Sequence, residues 1–175
     1  MKKIGLVALA VLMPLSAYAA SATDPVNRII DIAKARWDST ENNAGDYFDK
    51  LDRDFSAAFA KTYKAATKYP AYDGGDSPFD YDVITSSQDG CPLKDIKIEG
   101  EAEKDGVTIV DVSFKLWTCV QDEASKKKVE ELKFDVITEN GKTVIDDIHT
   151  KGDDGKWGSL VSSMKEIIKS GQQQQ

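Results

Sequence analysis

The sequence predicts an α+β domain in which N-terminal helices pack on a curved, mostly antiparallel β-sheet and a short helix ends the chain. Apolar residues recur at helical spacing through the first half of the chain and alternate with polar residues through the second half. Two turn signals, Lys104-Asp105-Gly106 and Asn140-Gly141, interrupt the alternating runs. Helices followed by hairpins favour an antiparallel sheet.

The first 19 residues have the features of a secretory signal peptide. They begin with two lysines, continue with an apolar run of 14 residues (4–17) and end in a small-x-small site, Ala17-Tyr18-Ala19. We therefore expect Sec-dependent export to the periplasm, with cleavage after Ala19 or Ala20. The apolar run is too short to span a membrane, and no cysteine follows the cleavage site to accept a lipid.

The predicted mature chain is acidic. The full sequence of 175 residues has a formal net charge of −7, which becomes −9 over 156 residues because the signal peptide removes two lysines. Neutralising phosphate groups requires clustered Lys and Arg, so we expect no nucleic acid and no membrane as partner, and a basic protein is favoured. One domain is predicted over residues 20–171, followed by a disordered Gln tail over residues 172–175.

The first predicted helix begins at Pro25, with Thr23 or Asp24 as its N-cap. Its apolar residues recur at i, i+3, i+4, i+7 and i+11 and form one stripe: Val26, Ile29, Ile30, Ala33 and Trp37. A second helix is predicted over residues 46–69 and ends before Pro70. The residues expected on its inner face are Phe48, Leu51, Phe55, Ala58, Phe59 and Ala66.

The first hairpin is predicted from two alternating runs, residues 93–103 and 107–120, joined by a three-residue turn in which Gly106 has a positive φ. Pairing positions whose numbers sum to 210 brings the apolar residues onto one face. The apolar pairs are Ile96 with Phe114 and Ile98 with Val112. The same register places Cys91 opposite Cys119, although the cysteines played no part in choosing it.

The two cysteines are predicted to form a structural disulfide, because an exported protein reaches an oxidising compartment. They enclose 27 residues, so the bond would contribute roughly 3–4 kcal/mol to the free energy of unfolding. Two alternatives fit less well. Zinc needs about four ligands, and two Cys with a single His fall short. A redox pair would have C-x-x-C spacing.

The second hairpin, residues 129–139 and 142–150, is predicted to pair positions whose numbers sum to 281. This register predicts a pocket floor in which an acid and an imidazole face apolar residues: Asp147 opposite Phe134, and His149 opposite Leu132. In the alternative interpretation the strand end is hydrated, and Asp147 and His149 contact solvent. Ser159 is then expected to cap a final helix. Its apolar residues are Leu160, Met164, Ile167 and Ile168.

Residues 72–78 form a predicted loop, because they are rich in Gly, Asp and Pro, and the acidic stretch that begins there continues to Asp82. Its candidate contacts for a protein partner are Tyr72, Phe79, Tyr81 and Asp82. Four of its aspartates could attract calcium: Asp73, Asp76, Asp80 and Asp82. An EF-hand needs an acid at its twelfth position, which is Ile84 when counted from Asp73, so a solvated acidic loop is preferred. We expect no metal site and no cofactor.

Three short motifs and the order of the elements carry a resemblance to known proteins. The motifs are Phe79-Asp80-Tyr81-Asp82 with Ser87-Gln88-Asp89, Val144-Ile145-Asp146-Asp147-Ile148, and Trp157-Gly158-Ser159-Leu160. They resemble the bacterial exported family known as domain of unknown function 3828, within the nuclear-transport-factor-2-like (cystatin-like) superfamily. The resemblance implies a cone-like sheet and an exported protein. The family's strand often begins with Trp, where this chain has Thr143 and Val144, which would alter the cone mouth.

The function predicted from these observations is non-enzymatic binding. The chain contains no G-x-S-x-G, P-loop or H-E-x-x-H motif, so no catalytic residue is predicted. A small, acidic, exported and disulfide-bonded domain suits an immunity-type protein that neutralises a secreted antibacterial effector. The alternative is a small-molecule pocket protein, or an isomerase- or dehydratase-like enzyme, that uses the cone interior. Asp147 would then be the base, and His149 or a tyrosine the oxyanion donor.

Overall fold

Five strands form one antiparallel sheet in which each strand pairs with the next along the chain. The structure, a computed structural model, describes residues 15–38, 45–152 and 154–173. The helices are α1 (Leu15–Trp37), α2 (Leu51–Asp54), α3 (Ala57–Ala66), α4 (Glu123–Lys127) and α5 (Leu160–Gln173). The strands are β1 (Lys94–Gly100), β2 (Val107–Lys115), β3 (Glu130–Glu139), β4 (Lys142–Lys151) and β5 (Trp157–Ser159). The predicted α+β class and the antiparallel sheet are confirmed.

Helix α1 continues on both sides of Pro25, so the predicted start at Pro25 is wrong. Pro25 deprives the helix of one backbone donor, but Ala22, about one turn earlier, is buried in the core and adds packing to the longer helix. The predicted apolar stripe is confirmed by four buried members: Val26, Ile29, Ile30 and Ala33. The predicted cleavage positions after Ala19 and Ala20 fall within α1, and residues 1–14 lie outside the described residues.

The prediction of a single helix over residues 46–69 is wrong, because the helix is interrupted at Ser56 and two shorter helices form instead. Ser56 is buried and caps α3. Its N–H donates to the carbonyl of Ile145 (2.8 Å), and its hydroxyl donates to the carboxylate of Asp146 (2.5 Å). These bonds to β4 replace the intrahelical bond that the N–H of Ser56 would make in a continuous helix, and they pair the carbonyl of the buried Ile145. Ala58, which was expected inside, is exposed.

Strands β1 and β2 have the predicted register over residues 97–100, with Ile98 opposite Val112. The turn is one residue shorter than predicted. Asp105 and Gly106 form the two-residue connection and have φ values of 55° and 84°. Positive φ at both positions suits a hairpin whose twist matches that of its strands, and Gly adopts it without strain.

The predicted disulfide between Cys91 and Cys119 is present. The predicted strand over residues 107–120 is too long, since β2 ends at Lys115, so the disulfide lies beyond the paired residues. The β1 ladder is irregular between residues 94 and 97, and Ile96 lies in this stretch. The N–H of Cys91 donates to the carbonyl of Leu116 (2.9 Å), so a backbone hydrogen bond also joins the two segments that the disulfide links.

Strands β3 and β4 follow the predicted register only as far as Val136, which lies opposite Ile145. There a β-bulge gives β4 one extra residue, Asp146, and each later pairing shifts by one position. The pairs beyond it are Asp135 with Asp147, Phe134 with Ile148, and Lys133 with His149. The predicted pairs of Phe134 with Asp147 and of Leu132 with His149 are therefore wrong. A shift of one residue moves a side chain to the other face of the sheet.

The two faces of the sheet differ in what covers them. One face packs against the helices and encloses the core, whose large buried side chains include Ile29, Phe59, Phe114, Phe134, Ile148 and Met164. The other, called the open face below, presents the odd-numbered residues of β2 and β3, all partly or fully exposed. Within the described ranges, no helix combines the length and the apolar character needed to cross a membrane.

Candidate functional site

The acidic loop, defined as residues 72–82, lies between two grooves. The first, the Arg36 groove, has a volume of about 560 Å³ and lies between the loop and the end of α1. The second, the α5 groove, has a volume of about 720 Å³ and lies between the loop and α5. Phe79, Asp80 and Tyr81 border both grooves, so the loop is a wall shared by the two.

Asp82 fixes the end of the acidic loop. One carboxylate oxygen accepts hydrogen bonds from the N–H groups of Ile84 and Thr85, both at 3.0 Å. The other oxygen accepts from the hydroxyl of Tyr47 at 2.6 Å. Burial, and then the nearby charge of Asp82, raises the pKa of Tyr47, so the phenol remains protonated and donates. With its side chain only 9% exposed, Asp82 positions the loop and presents little surface to a partner.

Among the described residues that line it, the Arg36 groove contains one cation from the chain itself. The guanidinium of Arg36 lies over the ring of Tyr47, 5.0 Å from its centroid. Its nitrogens are 3.5 Å from the carboxylate of Asp82 and 3.7 Å from that of Asp46. Four aspartates line the groove against this one guanidinium, so the groove has a surplus of negative charge: Asp46, Asp76, Asp80 and Asp82.

The predicted contact residues of the acidic loop separate into two kinds. Tyr72 is 63% exposed and Tyr81 is 37% exposed. Phe79, by contrast, is 6% exposed and packs in the core. In the part of the chain that the structure describes, no Lys or Arg forms an ion pair with the loop's other aspartates: Asp73, Asp76 and Asp80.

The pKa values of two tyrosines are raised in part by the aspartates in and near the loop. Burial raises the pKa of Tyr63 to about 12, and Asp46 and Asp76 add to this shift. Burial followed by the charge of Asp80 also raises the pKa of Tyr81. A negative field disfavours the phenolate, and the same field attracts a cationic partner.

Sequence reasoning missed the residues that other elements contribute to the grooves. Arg36 and Asp46 come from the end of α1 and the segment before α2, and Tyr69 and Glu166 border the α5 groove. At Gly171 a Cβ atom would lie 2.2 Å from the ring of Tyr69, so glycine permits this close approach of α5. These contacts are distant in sequence, and no local pattern indicates them.

The predicted pocket residues are not brought together. Leu132 and Phe134 are buried in the core, whereas Asp147 and His149 pair with the open-face residues of β3. The bulge at Asp146 causes this separation, because it reverses the facing of every β4 residue that follows it. No pocket floor composed of these four side chains exists.

Asp147 instead holds the N-terminus of α5. One carboxylate oxygen accepts from the N–H groups of Ile148 (2.8 Å) and Val161 (3.0 Å), and the other accepts from the hydroxyl of Ser159 (2.5 Å). Ser159 also caps α5 as predicted, since its hydroxyl oxygen accepts from the N–H of Ser162 at 3.0 Å. Because both oxygens of Asp147 already have donors, the geometry does not favour Asp147 as a general base.

Comparisons with known proteins place no constraint on the site. No family model, no curated protein and no solved structure matches the chain. Among residues 15–38, 45–152 and 154–173, no group of three or more His, Cys, Asp or Glu side chains is arranged to hold a metal ion.

Proposed function

We propose that this protein is a non-enzymatic binding protein that uses its acidic loop to contact a basic surface of a protein partner. The observation that supports this most directly is the combination of two exposed tyrosines with three aspartates that lack a cationic partner in the described chain. Tyr72 and Tyr81 offer apolar area with a polar tip, and tyrosine is enriched at the centres of interfaces.

The charge of the loop suits recognition of Lys or Arg. Unpaired carboxylates attract a basic surface over about a Debye length, which raises the association rate and makes binding sensitive to salt. The two grooves beside the loop have room for side chains of the partner. The anchoring of the loop by Asp82 and Tyr47 reduces the entropy that ordering the loop on binding would cost.

The proposal extends to location and family. The disulfide and the signal-like N-terminus support export to the periplasm, with the signal peptide removed. There the protein would act as an immunity-type protein that blocks a basic, secreted antibacterial effector. The bulge in β4 and the irregularity in β1 support a cone-like, cystatin-like curvature of the sheet, in keeping with the resemblance to domain of unknown function 3828.

Affinity capture with residues 20–175 as bait tests this function. The bait is exposed at low salt to periplasmic extract and secreted proteins of the source organism, and bound proteins are identified by mass spectrometry. We expect one stoichiometric basic protein, and we expect a bait with Tyr72→Ser and Tyr81→Ser to lose it. Recovery of no stoichiometric protein, or equal capture by both baits, would contradict the proposal.

A further inference from the structure

The corner where β3, β4, β5 and α5 meet contains the only histidine of the sequence. The Nε2 atom of His149 is 3.0 Å from a carboxylate oxygen of Asp135 on β3 and 3.9 Å from one of Asp147 on β4. Its side chain is 25% exposed. An imidazole between two carboxylates on neighbouring strands can carry a positive charge where two negative charges would otherwise face each other.

This imidazole is linked to α5 through one carboxylate. Asp147, 3.9 Å from His149, accepts the hydrogen bonds of Ser159 and Val161 at the start of α5. A carboxylate at a helix N-terminus is stabilised by the helix dipole and by the free N–H groups of the first turn. A change of charge at His149 therefore alters the electrostatic environment of the group that holds this helix.

We propose that His149 is a pH-dependent stabiliser of the α5 N-terminus. When the imidazole is protonated, it compensates both Asp135 and Asp147 and keeps Asp147 in place beneath α5. When the imidazole loses its proton, no cation lies between the two carboxylates, and the first turn of α5 opens more often.

Among the residues that the structure describes, the lysines on the strands around His149 are already paired. Lys133, directly opposite on β3, is 3.2 Å from Asp111, and Lys151, two residues along β4, is 2.6 Å from Glu131. On the β5 side the neighbours are uncharged: Trp157, Gly158 and Ser159. Imidazole is the side chain that ordinarily changes its charge near neutral pH, so His149 is the group that makes this corner sensitive to pH.

The direction of the effect follows from the folded-state pKa of His149. The hydrogen bond to Asp135 raises this pKa above its ordinary value of 6.5, burial opposes the shift, and the charges of Asp135 and Asp147 add to it. A raised pKa means that the stabilisation is fully present below 6.5. It is lost as the pH rises through the folded-state value.

The consequence for binding rests on the proposed function. Residues of α5 form one wall of the α5 groove beside the acidic loop. When a partner binds in this groove, the complex is stronger at lower pH. The first turn of α5 opens less often there, so less of the helix has to be ordered on binding. The stabilisation of α5 itself requires no partner.

Hydrogen exchange on the free protein tests the proposal. Amide protection of Val161 and Ser162, corrected for intrinsic exchange, is measured between pH 6 and 8.5 in the wild type, in His149→Gln and in Asp135→Asn. We expect a several-fold loss of protection with rising pH in the wild type and none in His149→Gln. In Asp135→Asn, NMR titration of the single imidazole should show a pKa closer to 6.5.

Asp95→Asn is the matched control, because it also removes a strand carboxylate that has a charged partner. Asp95 is 2.7 Å from Lys115 on β2, and this pair is not part of the corner with α5. It should retain the wild-type pH profile. The same profile in the wild type and in His149→Gln would overturn the proposal, as would an unchanged imidazole pKa in Asp135→Asn. Because the measurement involves no partner, its failure would leave the proposed binding function untouched.

Discussion

The acidic loop and the corner where β4 meets α5 are each anchored by an aspartate with the same kinds of hydrogen-bond donors. In the first, the Asp82 carboxylate accepts two backbone N–H groups and the hydroxyl of Tyr47. In the second, the Asp147 carboxylate accepts two backbone N–H groups and the hydroxyl of Ser159. Each aspartate accepts from its own segment and from a second segment, so it joins two parts of the chain, which is a structural use of a carboxylate.

The surroundings of these two anchors differ. At the corner, nearby charges have partners in the chain: His149 with Asp135, Lys133 with Asp111, and Lys151 with Glu131. At the loop, the three other aspartates have no cationic partner in the described ranges, and two tyrosines are exposed beside them. A carboxylate alone does not distinguish the two regions. Surplus charge next to exposed aromatic area is what separates a candidate binding surface from a structural joint.

Removing the disulfide should have the largest effect; this bond joins the segment before β1 to the segment after β2 and serves as the reference for the two anchors. We expect Cys91→Ala with Cys119→Ala to lower the free energy of unfolding by roughly 3–4 kcal/mol, because the unfolded chain gains loop entropy. Urea unfolding of the oxidised wild type and the double variant measures this. Reduced wild type should match the variant, and a loss under about 1 kcal/mol would contradict the expectation.

Removing either anchor should have the next largest effect. Asp82→Ala and Asp147→Ala each leave buried donors unpaired, so we expect losses of about 1–3 kcal/mol in the free energy of unfolding. The double variant Asp76→Asn with Asp80→Asn should stay within about 0.5 kcal/mol of wild type, since it removes only exposed charges. Urea unfolding compares all three. If the loop double variant were as unstable as the anchor variants, the exposed aspartates of the loop would be structural as well, which would contradict the difference drawn between them and the two anchors.

The smallest expected effect is on the free energy of unfolding at alkaline pH, and it tests whether the acidic loop has a negative potential. The pKa of Tyr63 is raised from 10.0 to about 12, so its share of stability is present below pH 10 and is lost as the pH rises through about 12. We expect the free energy of unfolding to fall less steeply over this window in Tyr63→Phe than in the wild type. Asp76→Asn should lower the Tyr63 pKa slightly, and no change would contradict the field inferred at the loop.

Local pattern predicts much of this fold. Alternation in β2 and β3, the Asn140-Gly141 turn and the Ser159 cap are properties of neighbouring residues, and the structure confirms them. Two errors share one long-range cause. Ser56 breaks the predicted second helix where it bonds to Ile145 and Asp146, and the β4 bulge lies at the same contact. A contact between residues 90 positions apart leaves no periodic trace in either segment.

The candidate site was only partly predictable for the same reason. Tyr72 and Tyr81 could be proposed as contacts because aromatic residues in an acidic loop are unusual solvent-facing groups, and the structure leaves both exposed. The inward position of Asp82 depends on its bond with Tyr47, and that of Phe79 on the core in which it packs, and the loop sequence reveals neither. The proposed pocket failed because one bulge residue reverses the facing of Asp147 and His149.

The most direct test of the central claim is the affinity of the captured partner for two variants of equal charge. The loop variant combines Asp73→Asn, Asp76→Asn and Asp80→Asn. The control removes three exposed carboxylates near the β1–β2 turn: Glu101→Gln, Glu103→Gln and Asp105→Asn. We expect the loop variant to raise Kd by roughly tenfold or more at low salt and the control to bind as the wild type does. Equal weakening by both variants, or none by the loop variant, would contradict the account.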